Sequence, residues 1–310
     1  MSQSIAIVTD SSSTIGINEY KNVFVIPMSI IVDDEKTFSD VVDISSKQFC
    51  NLLAVKSKFA FPKKTKAFNV KTSMPSPESF INVIKQTAEN FDRVICLPLS
   101  SGLSGTFGQW QNLLKSPSLC NYKNVAIFET SDIAISLRWL VESVLELGQK
   151  CSEIEEIEKF VCNWRKRIDC MVVLNNLQQL VRGGRITQIQ AILTGILQIK
   201  PIIRFHHKNE FFSRSFSNKS AIEKSFLALF NNLNIVCFDD LEKIGFSSTI
   251  INPATEQAIS DEIVKFMQNF FKSDKKTIES KFSTAFAPAV ISAHTGIDSF
   301  SIQILQKIIF

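Results

Sequence analysis

Four hydroxyl-rich segments are the places in this sequence where side-chain types and spacing could do chemistry. They are Thr9-Asp10-Ser11-Ser12-Ser13-Thr14, Thr72-Ser73, Ser100-Ser101-Gly102-Leu103-Ser104-Gly105-Thr106 and Ala293-His294-Thr295. Each reads as following an apolar strand, and ligands of open α/β sheets bind beyond the carboxyl ends of strands, so the four could converge. None is rich in carboxylates. Hydroxyls and helix N-terminal amides are neutral donors that suit an anionic group, and an Arg or His nearby would add positive charge. The same Ser and Thr residues also suit helix caps, and both readings stand at this point.

Gly183-Gly184 is the only adjacent glycine pair. Two glycines before Arg185 predict a turn with positive φ that aims the Arg, or else an exposed turn with a solvated Arg. His206 and His207 decorate a predicted hairpin. His294 follows Ala289-Val290-Ile291 and is expected at a sheet end. Known catalytic patterns fit poorly. Gly102-Leu103-Ser104-Gly105-Thr106 lacks the last Gly of a nucleophile elbow. The glycines at 102, 105 and 108 do not make the dinucleotide fingerprint, and no phosphate-binding P-loop is present. A Ser-His-Asp triad, giving a hydrolase or acyltransferase on lipid-like esters, stays open as an alternative.

The elements that must position these residues follow from apolar periodicity. Strands are expected at Ser4–Val8, Val23–Val32, Arg93–Leu99, Val125–Thr130, Met171–Leu174, Val236–Phe238 and Ala289–Ala293. Helices are expected at Ile44–Val55 with Asp43 as cap, Ser76–Asn90, Phe107–Leu114, Ile133–Cys151, Cys151–Arg167, Ile189–Leu197, Lys219–Phe230 and Phe300–Ile309. Lys200–Phe205 and Glu210–Phe212 read as a hairpin. Alternating strands and helices predict a mainly parallel sheet flanked by helices in an N-terminal domain, residues 1–155. A second α/β domain is expected over 156–310.

Composition narrows the class. The 310 residues are 45% apolar, with 34 Lys plus Arg against 30 Asp plus Glu, a net of +4. That excess does not predict a nucleic-acid binder. Phe is abundant at 26, against 2 Tyr and 3 Trp. Codon bias explains this, and so does an apolar cavity to be lined. No run reaches the ~20 apolar residues of a membrane span. The first residues lack a signal peptide's basic region. Seven Cys without a CxxC pair read as reduced thiols, so the expected location is the cytoplasm. Three His without paired spacing predict no metal site. The Lys- and Phe-rich stretch from Val55 to Lys71 reads as a solvated loop, as a contact for an anionic membrane surface, or as a weak single-strand nucleic-acid contact.

Taken in order, these segments resemble the DegV family of bacterial fatty-acid-binding proteins. Ile5-Ala6-Ile7-Val8-Thr9-Asp10-Ser11-Ser12 is similar to the family's opening strand and Asp-Ser turn. Lys71-Thr72-Ser73-Met74-Pro75-Ser76 resembles its Thr-Ser-Gln-Pro-Ser motif, with Met74 for Gln. Leu99 to Phe107 resembles Ser-Ser-x-Leu-Ser-Gly-Thr-Tyr, Leu180 to Ile186 the Gly-Gly-Arg segment, and Leu197 to Ile202 the strand after it. Ala293-His294-Thr295-Gly296 resembles the C-terminal His-x-Gly motif.

The resemblance implies a two-domain α/β protein with a long-chain fatty acid, such as palmitate, stearate or oleate, between the domains. It implies a carboxylate held by hydroxyls of Thr72, Ser73, Ser100 and Ser101, with Arg185 and His294 near the head group. Asp10 and Ser11 join the candidate ligand-binding set, either touching ligand or ordering the Ser-rich turn. It implies a carrier that does not itself catalyse and takes no cofactor. As some members of the family act as acyl carriers for a fatty-acid kinase, the resemblance implies such a kinase as a possible partner, which would phosphorylate the bound carboxylate for phospholipid synthesis. Two positions depart from the pattern. Ile297-Asp298 stand where Pro-Gly usually follows, and Phe216 stands where an Arg is usual in the segment implicated in kinase docking.

Overall fold

The computed structural model describes residues 4–59, 69–150, 153–175, 177–185 and 199–308. The expected helix Ile189–Leu197 and the centre of the Lys- and Phe-rich stretch lie outside the described residues. In chain order the elements begin with β1 (Ile5–Asp10), β2 (Val23–Ile26), β3 (Ser29–Val32), β4 (Lys36–Ser39), α1 (Ser46–Phe59), β5 (Val70–Ser73), α2 (Pro77–Asn90) and β6 (Arg93–Leu97). Next come α3 (Thr106–Leu114), β7 (Val125–Ile127), α4 (Ala134–Lys150), α5 (Ile154–Arg167), β8 (Ile168–Val173) and α6 (Gln178–Arg182). The last are β9 (Lys200–His206), β10 (Lys208–Ser215), α7 (Asn218–Asn232), β11 (Leu241–Ser248), α8 (Pro253–Phe271), α9 (Lys275–Glu279), β12 (Phe282–Phe286), α10 (Ala289–Thr295) and β13 (Phe300–Gln306).

The chain forms two compact units. The first comprises Met1–Ser45, Asn69–Lys166 and Pro288–Val290; the second comprises Ser46–Phe68, Arg167–Ala287 and Ile291–Phe310.

The first unit carries the parallel sheet, in the order β2-β1-β6-β7. Every residue of β1 is buried, as a strand covered on both faces requires. On one face Phe80 and Ile84 of α2 meet Ala6, Val8, Val94 and Cys96, and Trp110 stacks on Phe80 at 4.6 Å. Gly148 of α4 lies so close to Ile5 that any Cβ there would overlap the Ile side chain. The fully buried Asp132 secures the start of α4 through the Ile133 N–H (2.9 Å) and Ser136, and it also accepts from Trp164 Nε1 of α5 at 2.9 Å. Val23–Val32 is not one strand. Pro27 has no N–H for a ladder, so the run divides into β2 and β3, which join different sheets. β3 is the centre of a small antiparallel sheet, β4-β3-β5.

The second unit holds a six-stranded sheet, β10-β9-β8-β13-β11-β12, antiparallel except for β11 and β12. α7 and α8 cover one face, placing Phe226, Leu229, Ile263 and Met267 against Met171, Ile244, Phe246, Ile302 and Ile304. Much of the unusual Phe content is spent here as a chain of ring contacts: Phe226–Phe266 at 5.1 Å, Phe230–Phe270 at 4.9 Å and Phe238–Phe271 at 5.7 Å. The expected hairpin is β9–β10, turning at His207 (φ 69°).

Four expectations need correction. Phe300–Ile309 is not a helix: Phe300, Ile302 and Ile304 alternate onto the core face, and this period of two makes the central strand β13. Ala289–Ala293 is not a strand but the body of α10, which starts directly after Pro288. Val236–Phe238 is not a strand, because the Asp240 carboxylate takes the N–H groups of Val236 (2.7 Å) and Cys237 (2.9 Å) and closes a turn. Asp43 does not cap α1. It accepts from the Ser39 N–H at 2.7 Å, and the helix begins at Ser46.

Candidate functional site

In the first unit the ends of β1 and β6 are tied together. Asp10, fully buried, caps the 3-10 turn Ser11–Ser13 by accepting from the Ser12 N–H at 2.9 Å. Its other oxygen accepts from the Leu99 N–H at 2.8 Å, just after β6. Burial pushes the Asp10 carboxyl above the usual carboxylate range, against the opposing pull of these donors. Ser11 Oγ donates to Asp40 at 2.9 Å and accepts from the Met28 N–H at 3.1 Å. Asp40 is buried as well, and burial raises it to about 6 while Ser11 and the N–H groups of Val290 and Val41 pull it down. Val41 has φ 60°, a left-handed conformation that a β-branched residue rarely adopts, so local strain accompanies the placement of Asp40.

The Ser100 loop follows. Ser100 is buried, donates its N–H to the Asp132 carbonyl at 3.0 Å, and accepts the Gly102 N–H on Oγ at 3.2 Å. Ser101 is exposed, and its N–H faces both carboxylate oxygens of Glu129 at 3.3 and 3.2 Å. Ser104 Oγ accepts the Thr106 N–H at 3.3 Å, one residue ahead of Gly105, the N-cap of α3. Thr72 and Ser73 end β5, paired with Ile30 and Ser29. The next residue, Met74, brings this strand end to the Ser100 loop: a Cβ on Gly105 would lie 2.9 Å from Met74 Sδ. The Met74 side chain thus packs against the backbone of Gly105 in the Ser100 loop.

In the second unit the glycine pair and the histidine meet. Gly184 has φ 68°, as the sequence requires, and Gly183 remains helical at the end of α6. A Cβ on Gly183 would collide with the His294 ring, so the imidazole packs directly on the bare backbone. Arg185 turns back to donate from Nη1 to the Gly183 carbonyl, and its own carbonyl accepts from Asn209 Nδ2 at 3.3 Å. His294 lies in the last turn of α10, not at a sheet end. Asp298 takes a left-handed φ of 57°, which Asp tolerates better than most residues. Among the described residues no group of three or more His, Cys, Asp and Glu side chains could hold a metal ion.

Burial, and then the Arg185 charge, push the His294 pKa down to about 4. The unfolded chain takes up this proton near pH 6.5 and the folded chain only near 4, so His294 costs stability as pH falls through that window. Asp40 acts in the opposite sense, losing stability as pH rises from 3.8 towards 6. The two slopes oppose each other, and a substitution separates them. His294→Gln should remove the loss on acidification, so that its melting temperature gains on the wild type steadily from pH 6.5 to 4. Parallel melting curves for the two proteins across that range would contradict the assignment.

Sequence reasoning missed Asp40 and Glu129. Neither lies in a motif, and each acquires its role through a partner distant in the chain.

The model of the family described as "Uncharacterised protein, DegV family" matches residues 4–307. The chain belongs to the DegV family. This DegV chain is 34% identical over 304 residues to DegV domain-containing protein MG326 of Mycoplasma genitalium, covering 97% of each chain. Its fold is similar to that of a stearic acid-binding protein from Eubacterium ventriosum, with TM-score 0.80, 19% identity and 98% of both chains covered. It is also similar to the Fatty Acid Kinase (Fak) B3 protein of Streptococcus pneumoniae loaded with linoleic acid, with TM-score 0.75, 15% identity and coverage of 98% of this chain and 100% of that one. The mixed α/β class expected from the sequence is the fold of this DegV chain. No helix among its described residues is long and apolar enough to cross a membrane.

Proposed function

We propose that this DegV protein binds a long-chain fatty acid and presents its carboxylate to a fatty-acid kinase. Thr72, Ser73, Ser100 and Ser101 are assigned to hydrogen bonds with the carboxylate, and Arg185 and His294 to the same head group. The observation that carries the reading is Arg185. It forms no ion pair among the described residues, and the side chain beside it is a histidine held neutral. A fixed, unneutralised cation is a receptor for an anion. Asp10 and Ser11 are occupied by Leu99, Ser12, Met28 and Asp40, which supports a role in ordering the turn.

Burying a sixteen-carbon chain is worth on the order of 12 kcal/mol at ~0.8 kcal/mol per CH₂, and association costs remove much of this. The acyl chain thus supplies affinity and the polar groups supply orientation. The hydrolase alternative is less well supported. A triad histidine must accept a proton, and burial beside Arg185 opposes protonation of His294. Kinase presentation draws on the likeness to the Streptococcus pneumoniae protein. Phe216, at the position where an Arg is usual, is 74% exposed and available to a partner.

Mass spectrometry of the purified protein, native and after organic extraction, is the direct test. One fatty acid per chain is expected. Arg185→Ala should lower retention about tenfold, the effect of losing one charge-assisted hydrogen bond, and Ser101→Ala by a smaller factor. A protein without lipid that takes up no added fatty acid would overturn the reading. Wild-type retention in both variants would overturn the site assignment alone.

A further inference from the structure

α7 and α8 account for one face of the six-stranded sheet. The other face is unusual at its centre. Alternation along β13 turns Ser301, Gln303 and Leu305 to that face, away from Phe300, Ile302 and Ile304. Gln303 stands opposite Cys170 of β8 and Gly245 of β11, while Ser301 stands opposite Val172 and Ser247. Gln303 is therefore ringed by the small residues Gly245, Cys170, Ser247 and Ser301, with Ser247 its diagonal neighbour.

Gln303 is 0% and Ser247 2% exposed. Among the described residues neither the Oε1 nor the Nε2 of Gln303 has a hydrogen-bond partner, and neither does Ser247 Oγ. Unpaired amide and hydroxyl groups in a sheet interior are costly, and an apolar side chain of the same size would avoid that cost. Three unpaired groups on adjacent strands call for something that both donates and accepts. Towards β9 this face carries an apolar patch. Val172 and Ile203 pack with Leu177, Leu180 and Val181 on and beside α6, the helix that leads to Gly183 and Arg185.

We infer that Gln303 and Ser247 form a subsite for a hydroxyl group carried part-way along an acyl chain, so that this protein selects mid-chain hydroxylated fatty acids. An alcohol donates once and accepts twice, so one such group bridges the Gln303 amide and Ser247 Oγ. A ketone only accepts and would leave the Gln303 carbonyl unpaired. The neighbours of the amide are small, and the apolar patch at Val172 and Ile203 suits methylenes of the chain. The inference rests on the fatty-acid reading of the protein and adds to it the class of acyl chain.

The test is competition between stearate and mono-hydroxystearates with the hydroxyl at successive mid-chain carbons, read by native mass spectrometry on the delipidated full chain. One hydroxyl position should be preferred to stearate by about tenfold, the ratio given by one net hydrogen bond of ordinary strength. Gln303→Leu should abolish that preference while stearate is still retained, and Ser247→Ala should reduce it. The Ser247→Ala result decides the matter if Gln303→Leu does not fold. Retention of every acid without discrimination overturns this inference alone, as does an unchanged preference in a folded Gln303→Leu variant or, failing that, in Ser247→Ala. A stearate complex with only ordered water at Gln303 and no discrimination overturns it in the same way. Failure to retain any acid overturns the fatty-acid reading, and this inference with it.

Discussion

Gly183→Ala is expected to lower fatty-acid retention at least tenfold in a protein that still unfolds cooperatively. The backbone at 183 is ordinary, with φ −71° and ψ −10° at the end of α6, so alanine meets no conformational penalty there. The effect is steric. The new methyl group would run into the His294 imidazole on one side and lie 3.2 Å from the Gln179 carbonyl oxygen on the other. The carbonyl belongs to the helix and cannot yield, so the ring must move, and overpacking of this kind costs about 1–3 kcal/mol. The neighbouring glycine provides the control. A Cβ on Gly184 would meet nothing, but φ is +68°, so Gly184→Ala should cost about 1 kcal/mol of backbone strain and leave His294 in place. Two adjacent glycines thus separate into one that serves the site and one that serves the turn. Mass spectrometry of retained lipid, paired with thermal melts, reads both. Full retention in Gly183→Ala would show that the position of His294 does not matter to the ligand.

The glycine pair shows what the sequence discloses and what it withholds. Adjacent glycines before Arg185 announce a turn, and the positive φ at 184 bears that out. The reason for glycine at 183 is a histidine more than a hundred residues later, which no local pattern contains. The same division runs through the fold. β1 with its Asp-Ser turn, β6 with its Ser-rich loop, and the β9–β10 hairpin were legible because strand, breaker and turn lie within a few residues of one another. β11, β12 and β13 were not. Their pairings are long-range, and a run such as Phe300 to Leu305 is apolar enough to satisfy a helical period as well as an alternating one. The candidate site divides likewise. Hydroxyls and Arg185 were visible by type. Asp40 was not, because its segment reads as an ordinary polar loop and its burial is imposed by Ser11, twenty-nine positions earlier. Where local signals name the residues, tertiary contacts decide which of them are constrained. His294 against Gly183 is such a contact, a close approach that the missing side chain permits.

Asp10→Ala should be the most destabilising single change in the first unit's polar cluster. In the folded protein the carboxylate is the acceptor for the backbone N–H of Ser12 and of Leu99, at 2.9 and 2.8 Å, and for the Ser12 hydroxyl. Alanine leaves two buried backbone donors without an acceptor, at about 1–3 kcal/mol each. The Ser12 hydroxyl can rotate and loses less. Removal of a buried carboxyl also brings some relief, since burial has already raised its pKa. The balance is a loss of about 3 kcal/mol, or a fall of about 6–12 °C in the melting temperature of a unit this size. Asp10→Asn should fall between the wild type and Asp10→Ala, because its single carbonyl oxygen can serve one of the two N–H groups while its amide confronts the other. The Leu99 bond is the more consequential of the two. It joins the end of β1 to the residue just before Ser100, so its loss should loosen the Ser100 loop before the sheet itself. Amide hydrogen exchange should show this as faster exchange at Leu99 and Gly102 than at Val94 and Ile95 in the Asp10→Ala protein. A melting temperature within 2 °C of the wild type, or uniform exchange across β6 and the loop, would mean that Asp10 does not hold the two strand ends together.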